Sequence, residues 1–221
     1  MYTVVYQGGS SSDTYYGDGR SEIAYLYGGN DFANMGAGPD LVYAGSGDDR
    51  VIGGDGDDRL YGGNGSDLLA GDYGNDTIFG GNQSDTLYGN AGDDVLLGER
   101  GHDTISGGGG DDVIYGGRGR DALYGGSGDD ILSDEGGGGY LSGGSGSDLF
   151  VFYNFTASTR LSTVADYRHT DSLLLYMEEG QQLTVRDVGD YHYVEVDGAD
   201  KILVRDYTGD FSLGDIEQVF L

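Results

Sequence analysis

From Gly8 to Val151 the chain repeats every nine residues, 16 blocks without an insertion. The middle of the run, Gly53 to Phe79, reads GGDGDDRLY, GGNGSDLLA and GDYGNDTIF. A period of nine is too short for a helical solenoid, whose unit needs about thirty residues or more. It leaves room in each block for a turn and a short strand.

Two columns define the block. The sixth place holds Asp13, Glu22, Asp31, Asp40, Asp49, Asp58, Asp67, Asp76, Asp85, Asp94, Asp103, Asp112, Asp121, Asp130, Gly139 and Asp148. The eighth place runs from Tyr15, Ala24 and Ala33 through valines, leucines and isoleucines to Phe150, and is apolar or aromatic throughout. Glycines in the first half of the block permit the positive φ angles of a tight bend, and the last three residues suit a very short strand. Successive strand residues face opposite ways, so the eighth residue points inward while the seventh and ninth point out. Two blocks then form one 18-residue coil whose two strands stack on those of the next coil as parallel sheets. The expected fold is all-β, a right-handed parallel β-roll, or β-solenoid, over 8–151, with a capping strand in 1–7 and a β-rich C-terminal cap in 152–221.

Such a core is one side chain deep per strand, while each of the 46 glycines loses unusually much backbone entropy on ordering. Composition points to what compensates. The formal charge is −28, from 39 acidic and 11 basic residues. That balance repels nucleic acid and anionic lipid and opposes compaction until it is neutralised. The 19 tyrosines, seven phenylalanines and regular aliphatic column argue against a disordered acidic tail. There is no cysteine and hence neither a disulfide nor a thiolate metal site. No apolar run reaches about 18 residues, so no transmembrane segment is expected, and the N-terminus has no secretory signal pattern.

Sixth-place carboxylates 18 residues apart fall on the same edge of the roll, about one strand spacing apart. A hard cation between them would take carboxylate oxygens from both coils, together with carbonyls of the glycine bends. An all-oxygen, flexible site of six or more ligands suits Ca²⁺ better than Mg²⁺. One edge pairs Asp13 through Asp121; the other pairs Asp40 through Asp148, with Glu22 a weaker outlier. About 12 ions are expected, and they would bring the charge to about −4.

With these residues in view, the blocks resemble the GGxGxDxUx nonapeptide of the RTX (repeats-in-toxin, hemolysin-type) family. The resemblance implies a calcium-binding β-roll that folds after secretion from a bacterium and serves folding, export and attachment. Such modules resemble the C-terminal parts of RTX proteases, lipases, toxins, adhesins and alginate-modifying epimerases. Departures occur at Tyr27 and Asn90, which replace second-place glycines, at Gln83 in a fourth place, and at Gly139, which removes the acidic group beside Asp121.

Beyond Val151, LFVFYNF, DSLLLY, LTVRDV, YHYVEV and KILVRDY read as longer strands, with a hairpin turn at Asp197-Gly198. Asp166-Tyr167 and Asp171 to Leu173 resemble motifs that follow RTX repeats. The tail DIEQVFL, with Asp215, Glu217, Val219, Phe220 and Leu221, is similar to uncleaved signals read by type I secretion machinery.

An outward stripe on one sheet, Tyr25, Tyr43, Tyr61, Phe79, Leu97 and Tyr115, is a possible surface for a polysaccharide or another protein domain. The opposite face, with Asn34, Ser106 and Ser142, reads as solvated. Two functions besides the calcium module follow from the stripe: a Ca²⁺-dependent polysaccharide-binding module, and a self-assembling surface or adhesion protein. Catalysis is poorly supported. His102, His169 and His192 show no HExxH spacing, no GxSxG elbow or P-loop occurs, and Glu178-Glu179 would face opposite ways in a strand. His102 reads as a turn residue and His192 as a packing residue.

Overall fold

The computed structural model describes residues 4–135, 138–153, 161–168, 170–177, 181–188, 191–196, 199–206 and 213–220. Among the described residues two sheets, of 11 and 12 strands, run the length of the molecule, and as far as Ser172–Met177 consecutive strands alternate between them. As far as Leu149–Phe152, each strand pairs in parallel with the strand two further along. The register is 18 residues, as in Leu41↔Arg59, Val42↔Leu60 and Tyr43↔Tyr61. This is the parallel β-roll the nine-residue period implies.

The strands are longer than the three residues expected. Arg50–Asp55 and Arg59–Asn64 span six, from the seventh place of one block through the third place of the next. The glycine pair is part of the strand because the second-place residue turns the chain without breaking the ladder. Gly45 and Gly63 do so at φ 113° and 108°. Where glycine is absent the backbone shape persists. Tyr27, Asp72, Asn90 and Glu99 hold φ between 69° and 80° at second places, and Gln83 holds 80° at a fourth place. Packing between coils thus imposes a left-handed conformation that costs a side-chain-bearing residue about 1 kcal/mol or more.

The eighth-place column from Ala24 to Phe150 is buried and forms the core. Leu26, Met35 and Ala44 join it from first places that, apart from Asp134, hold glycine in the other blocks.

The end of the period at Val151 is not the end of the sheets. Ser162–Tyr167 pairs in parallel with Tyr140–Ser145, and Ser172–Met177 with Leu149–Phe152. Ala199–Asp206 follows in one sheet and Ile216–Phe220 in the other. The second sheet then closes with antiparallel strands Tyr191–Val196 and Leu183–Val188. Tyr191–Val196 meets Ala199–Asp206 with Val196 opposite Ala199, the register a two-residue hairpin requires. The turn residues Asp197 and Gly198 themselves lie outside the described residues, as do His169, Glu178, Glu179 and Leu221. His192 is buried at 7 % exposure, a packing residue.

Candidate calcium sites along the two edges

The sixth-place aspartates come together as the 18-residue spacing requires, and the geometry assigns different work to their two oxygens. On one edge the amides of Asp13, Asp31, Asp49, Asp67, Asp85 and Asp103 each donate to Oδ1 of the aspartate 18 residues later, at 2.7–3.0 Å. On the other edge the amides of Glu22, Asp40, Asp58, Asp76, Asp94, Asp112 and Asp130 do the same, at 2.7–3.1 Å. One oxygen of each carboxylate therefore splices neighbouring coils together.

The second oxygen is left over. Oδ2 of Asp31, Asp40, Asp49, Asp58, Asp67, Asp76, Asp85, Asp94, Asp103, Asp112, Asp121, Asp130 and Asp148 is buried without a hydrogen-bond donor. An ionised carboxylate in that state carries a penalty of several kcal/mol unless it is paired or neutralised. Burial, reinforced by neighbouring carboxylates, pushes Asp58 up to about 8 and Asp49, Asp85, Asp94, Asp112 and Asp130 up to about 7. The amide bonds to Oδ1 pull the other way and do not prevail.

First-place glycines make room for these oxygens. A Cβ on Gly53 would lie 2.2 Å from Asp58 Oδ2 and 2.9 Å from the Gly71 carbonyl oxygen of the next coil. The same pair of oxygens bounds Gly62, Gly80, Gly89, Gly98 and Gly125. Each cradle thus offers a carboxylate from one coil and a carbonyl from the next, a hard donor set that fits Ca²⁺. Among the described residues no three of His, Cys, Asp or Glu converge on one point. A cation held here would draw its remaining oxygens from the backbone.

The sites are not equivalent, a distinction the acidic column alone conceals. Asp31, Asp40 and Asp49 belong to blocks that begin with Leu26, Met35 and Ala44 instead of glycine. Asp13 is only half-buried, and its Oδ2 accepts from the Gly9 amide at 2.6 Å. Glu22 is buried and accepts from the Asp18 amide at 3.3 Å.

The ends of the rows are finished by other means. Where Gly139 removes the sixth-place carboxylate, Asp134 supplies one from the first place of the same block; its Oδ2 accepts from the Gly139 amide at 3.1 Å and the Ser162 hydroxyl at 2.7 Å. On the other edge Asp171 continues the column, with Oδ1 accepting from the Asp148 amide at 3.1 Å. Asp166 accepts from the Ser142 hydroxyl and the Gly143 and Gly144 amides at 2.8–3.0 Å. The Arg168 guanidinium donates to the Gly144 carbonyl and the Thr170 hydroxyl to the Gly146 carbonyl. Tyr167 closes the turn with its hydroxyl on the Asp171 carbonyl, and Leu173 is buried beneath.

A second column was missed in the sequence because its residue types vary. At the fifth place the side chain of one coil accepts the amide of the fifth-place residue 18 later: Asn30 from Asp48, Asp93 from Asp111, Asp111 from Asp129. His102 belongs here, with Nδ1 accepting from the Arg120 amide at 2.8 Å. The signal that could have found the column is the recurrence of Ser, Asn and Asp, the side chains that cap backbone amides.

The aromatic stripe is a ladder. Tyr25, Tyr43, Tyr61 and Phe79 stack with centroids 5.1, 4.8 and 4.7 Å apart and planes within 11°. The rings turn their faces to one another, so the ladder presents edges outward and offers no open ring face along its length for a sugar. Tyr115 lies further along the same sheet without a ring partner among the described residues. The opposite sheet, expected to be merely solvated, carries the exposed Tyr16, Tyr73, Tyr88, Tyr124 and Tyr140.

Comparison with known proteins agrees with the repeat. The family profile described as "RTX calcium-binding nonapeptide repeat (4 copies)" matches residues 36–69, 70–105 and 97–132. Residues 36–132 thus carry RTX calcium-binding nonapeptide repeats, which support a calcium-binding RTX module there. No curated protein matches the chain. Among solved structures it is similar to the extracellular lipase LipA from Serratia marcescens, at 17% identity and a TM-score of 0.28, over 90% of this chain and 45% of that one. The chain thus spans less than half of the lipase chain, and a likeness at that score supports no assignment of activity.

Proposed function

We propose that calcium is the switch that orders this chain, and that the roll serves as a folding, export and attachment module of a protein secreted by a bacterium. The observation that carries the reading is the row of thirteen buried Oδ2 atoms without donors. Neighbouring carboxylates in a chain of charge −28 repel one another. Ca²⁺ seated between coils would complete each Oδ2 with carbonyls such as those of Gly71, Gly80 and Gly98. About 12 ions are proposed, with the cradles of Asp58 through Asp130 filling most tightly because first-place glycines keep them open.

Linkage sets the scale. Each ion held at tenfold its dissociation constant contributes about 1.4 kcal/mol, on the order of 15 kcal/mol for the set, which matches a whole domain's stability of about 5–15 kcal/mol. Weak sites suit millimolar extracellular calcium and leave the chain unfolded at cytosolic levels, the state in which a chain can be threaded through an export channel. Export by type I machinery is supported by the tail, where Asp215, just before the strand Ile216–Phe220, and Glu217, within it, are both exposed.

The test is a calcium titration of the chelated chain followed by circular dichroism. The expected result is a cooperative gain of β signal at submillimolar to millimolar Ca²⁺, not reproduced by Mg²⁺. A full β spectrum in chelator, unchanged by calcium, would overturn the reading.

A further inference from the structure

Three of the chain's 11 basic residues, Arg100, Arg118 and Arg120, sit exposed on two neighbouring coils of one edge, the edge of Asp103 and Asp121. Arg100 and Arg118 stand directly opposite each other. Like charges so placed are destabilising, and among the described residues, whose ion pair is Arg20–Asp18, none of the three has a carboxylate partner. Beside them, where the ring ladder gives way to Leu97 and then Tyr115, lies a groove of about 560 Å³ lined by those two side chains and by Arg100 and Arg118. It joins an apolar lining to two unpaired positive charges.

The opposite edge is its complement. There Asp93, Asp111 and Asp129 form an exposed column at fifth places, one coil apart. Each carboxylate is fixed through one oxygen: Oδ1 of Asp93 accepts from the Asp111 amide at 2.9 Å, that of Asp111 from the Asp129 amide at 2.8 Å, and that of Asp129 from the Ser147 amide at 2.8 Å. A side chain already held in place loses less freedom on binding. Tyr73, 66% exposed, stands on the same edge with Asp55 beside it one coil back.

We propose that the arginine groove of one copy docks the acidic edge of a second copy of this chain, Arg100 and Arg118 meeting Asp93 and Asp111 while Tyr73 supplies a ring for the groove. Guanidiniums match carboxylates bidentately, and Tyr and Arg are the side chains that anchor interfaces. The repeat carries the match. Both columns advance by one coil, a strand spacing of about 4.7–4.9 Å, so a pair formed at one rung recurs in register at the next, which an acidic partner of another fold would not offer. The two surfaces lie on opposite edges of one roll. The contact is therefore heterologous, leaves a free edge on each copy, and extends into rows of rolls instead of closing as a two-fold dimer. It is separate from the aromatic stripe, whose rings stack on one another. The inference rests on the calcium reading in one respect: copies of charge −28 repel one another until bound ions neutralise most of it.

The test is sedimentation velocity of the calcium-loaded chain over a concentration series reaching about 1 mM, the range of a weak interface. The wild-type chain should associate progressively, without stopping at a dimer. Arg100→Gln with Arg118→Gln should weaken association at least tenfold, and so should Asp93→Asn with Asp111→Asn, which keeps an acceptor for each amide; Arg50→Gln, on the opposite sheet, should change nothing. Each double variant retains the surface that the other lacks, so an equimolar mixture of the two should form a one-to-one pair and grow no further. Association that survives the arginine substitutions, as calcium bridging between acidic edges or packing through the stripe would give, overturns the proposal. So does a chain that stays monomeric throughout, or a mixture that fails to pair. Circular dichroism on the same samples separates the two readings: a β-folded, calcium-loaded monomer fails the contact alone, and a chain indifferent to calcium fails the switch.

Discussion

The amide of Asp58 donates to Oδ1 of Asp76 at 2.8 Å, and Oδ2 of the same carboxylate is buried with no donor. One side chain thus performs two separable tasks, splicing coils through one oxygen and presenting charge through the other. Asp76→Asn keeps an acceptor for the Asp58 amide and removes the charge; it should lower calcium stoichiometry by one or two ions and leave the other edge intact. Asp76→Ala removes both and should cost a further 1–3 kcal/mol, the penalty of an unsatisfied buried amide. Calorimetry and thermal melts in calcium measure the difference.

The first-place glycines give a steric prediction. A Cβ on Gly71 would stand 1.9 Å from Asp76 Oδ2, whereas one on Gly19 meets nothing within 4 Å. Gly71→Ala should weaken calcium binding at that edge at least tenfold. Gly19→Ala, at φ 85°, carries only the backbone cost of about 1 kcal/mol and should leave calcium affinity unchanged.

The pH dependence of the chelated chain should run opposite to that of an ordinary acidic protein. Burial raises the sixth-place aspartates from 3.8 in the fold, Asp76 to about 6 and Asp58 to about 8. The metal-free fold therefore binds protons that the unfolded chain does not. Its stability from this source is full below about pH 4 and is lost as pH rises through 6 to 8. Circular dichroism in chelator should show more β structure at pH 5 than at pH 8. In calcium the trend reverses, because protons compete with the ion, and the midpoint calcium concentration should rise as pH falls below about 7.

The ring ladder is a stabilising spine. Tyr61 stacks on both Tyr43 and Phe79, and each such pair contributes about 0.5–1.5 kcal/mol beyond burial. Tyr61→Ala should lower the stability of the calcium-loaded chain by about 2–3 kcal/mol in denaturant melts, whereas Tyr88→Ala, on the opposite sheet and without a ring partner among the described residues, should change it by less than half as much.

Much of this was legible before the coordinates, for a physical reason: every coil repeats one local solution, so Asp49 and Asp67 or Leu60 and Ile78 can be placed by counting. What escaped counting depends on which oxygen or which face a residue presents. The division of labour between Oδ1 and Oδ2, the fifth-place amide caps, and the closing of the row by Asp134 from the wrong place in its block need three-dimensional neighbours. Leu26, Met35 and Ala44 were visible as departures from glycine, but only the steric role of Gly53 and its equivalents makes them matter. The continuation of both sheets past Val151 was hidden because coil length changes there: Asp171 follows Asp148 by 23 residues instead of 18. That Tyr25, Tyr43, Tyr61 and Phe79 share one column follows from counting, but that their ring faces stack does not, since stacking is set by χ angles the periodicity does not report.

The most direct test is to count the ions. Equilibrium dialysis of the chain against millimolar calcium should give about 10 to 12 bound ions, falling by no more than two in Asp58→Ala. A count of two or fewer in a chain that is nonetheless β-folded would contradict the account, because the buried Oδ2 row would then be neutralised by protons and not by calcium.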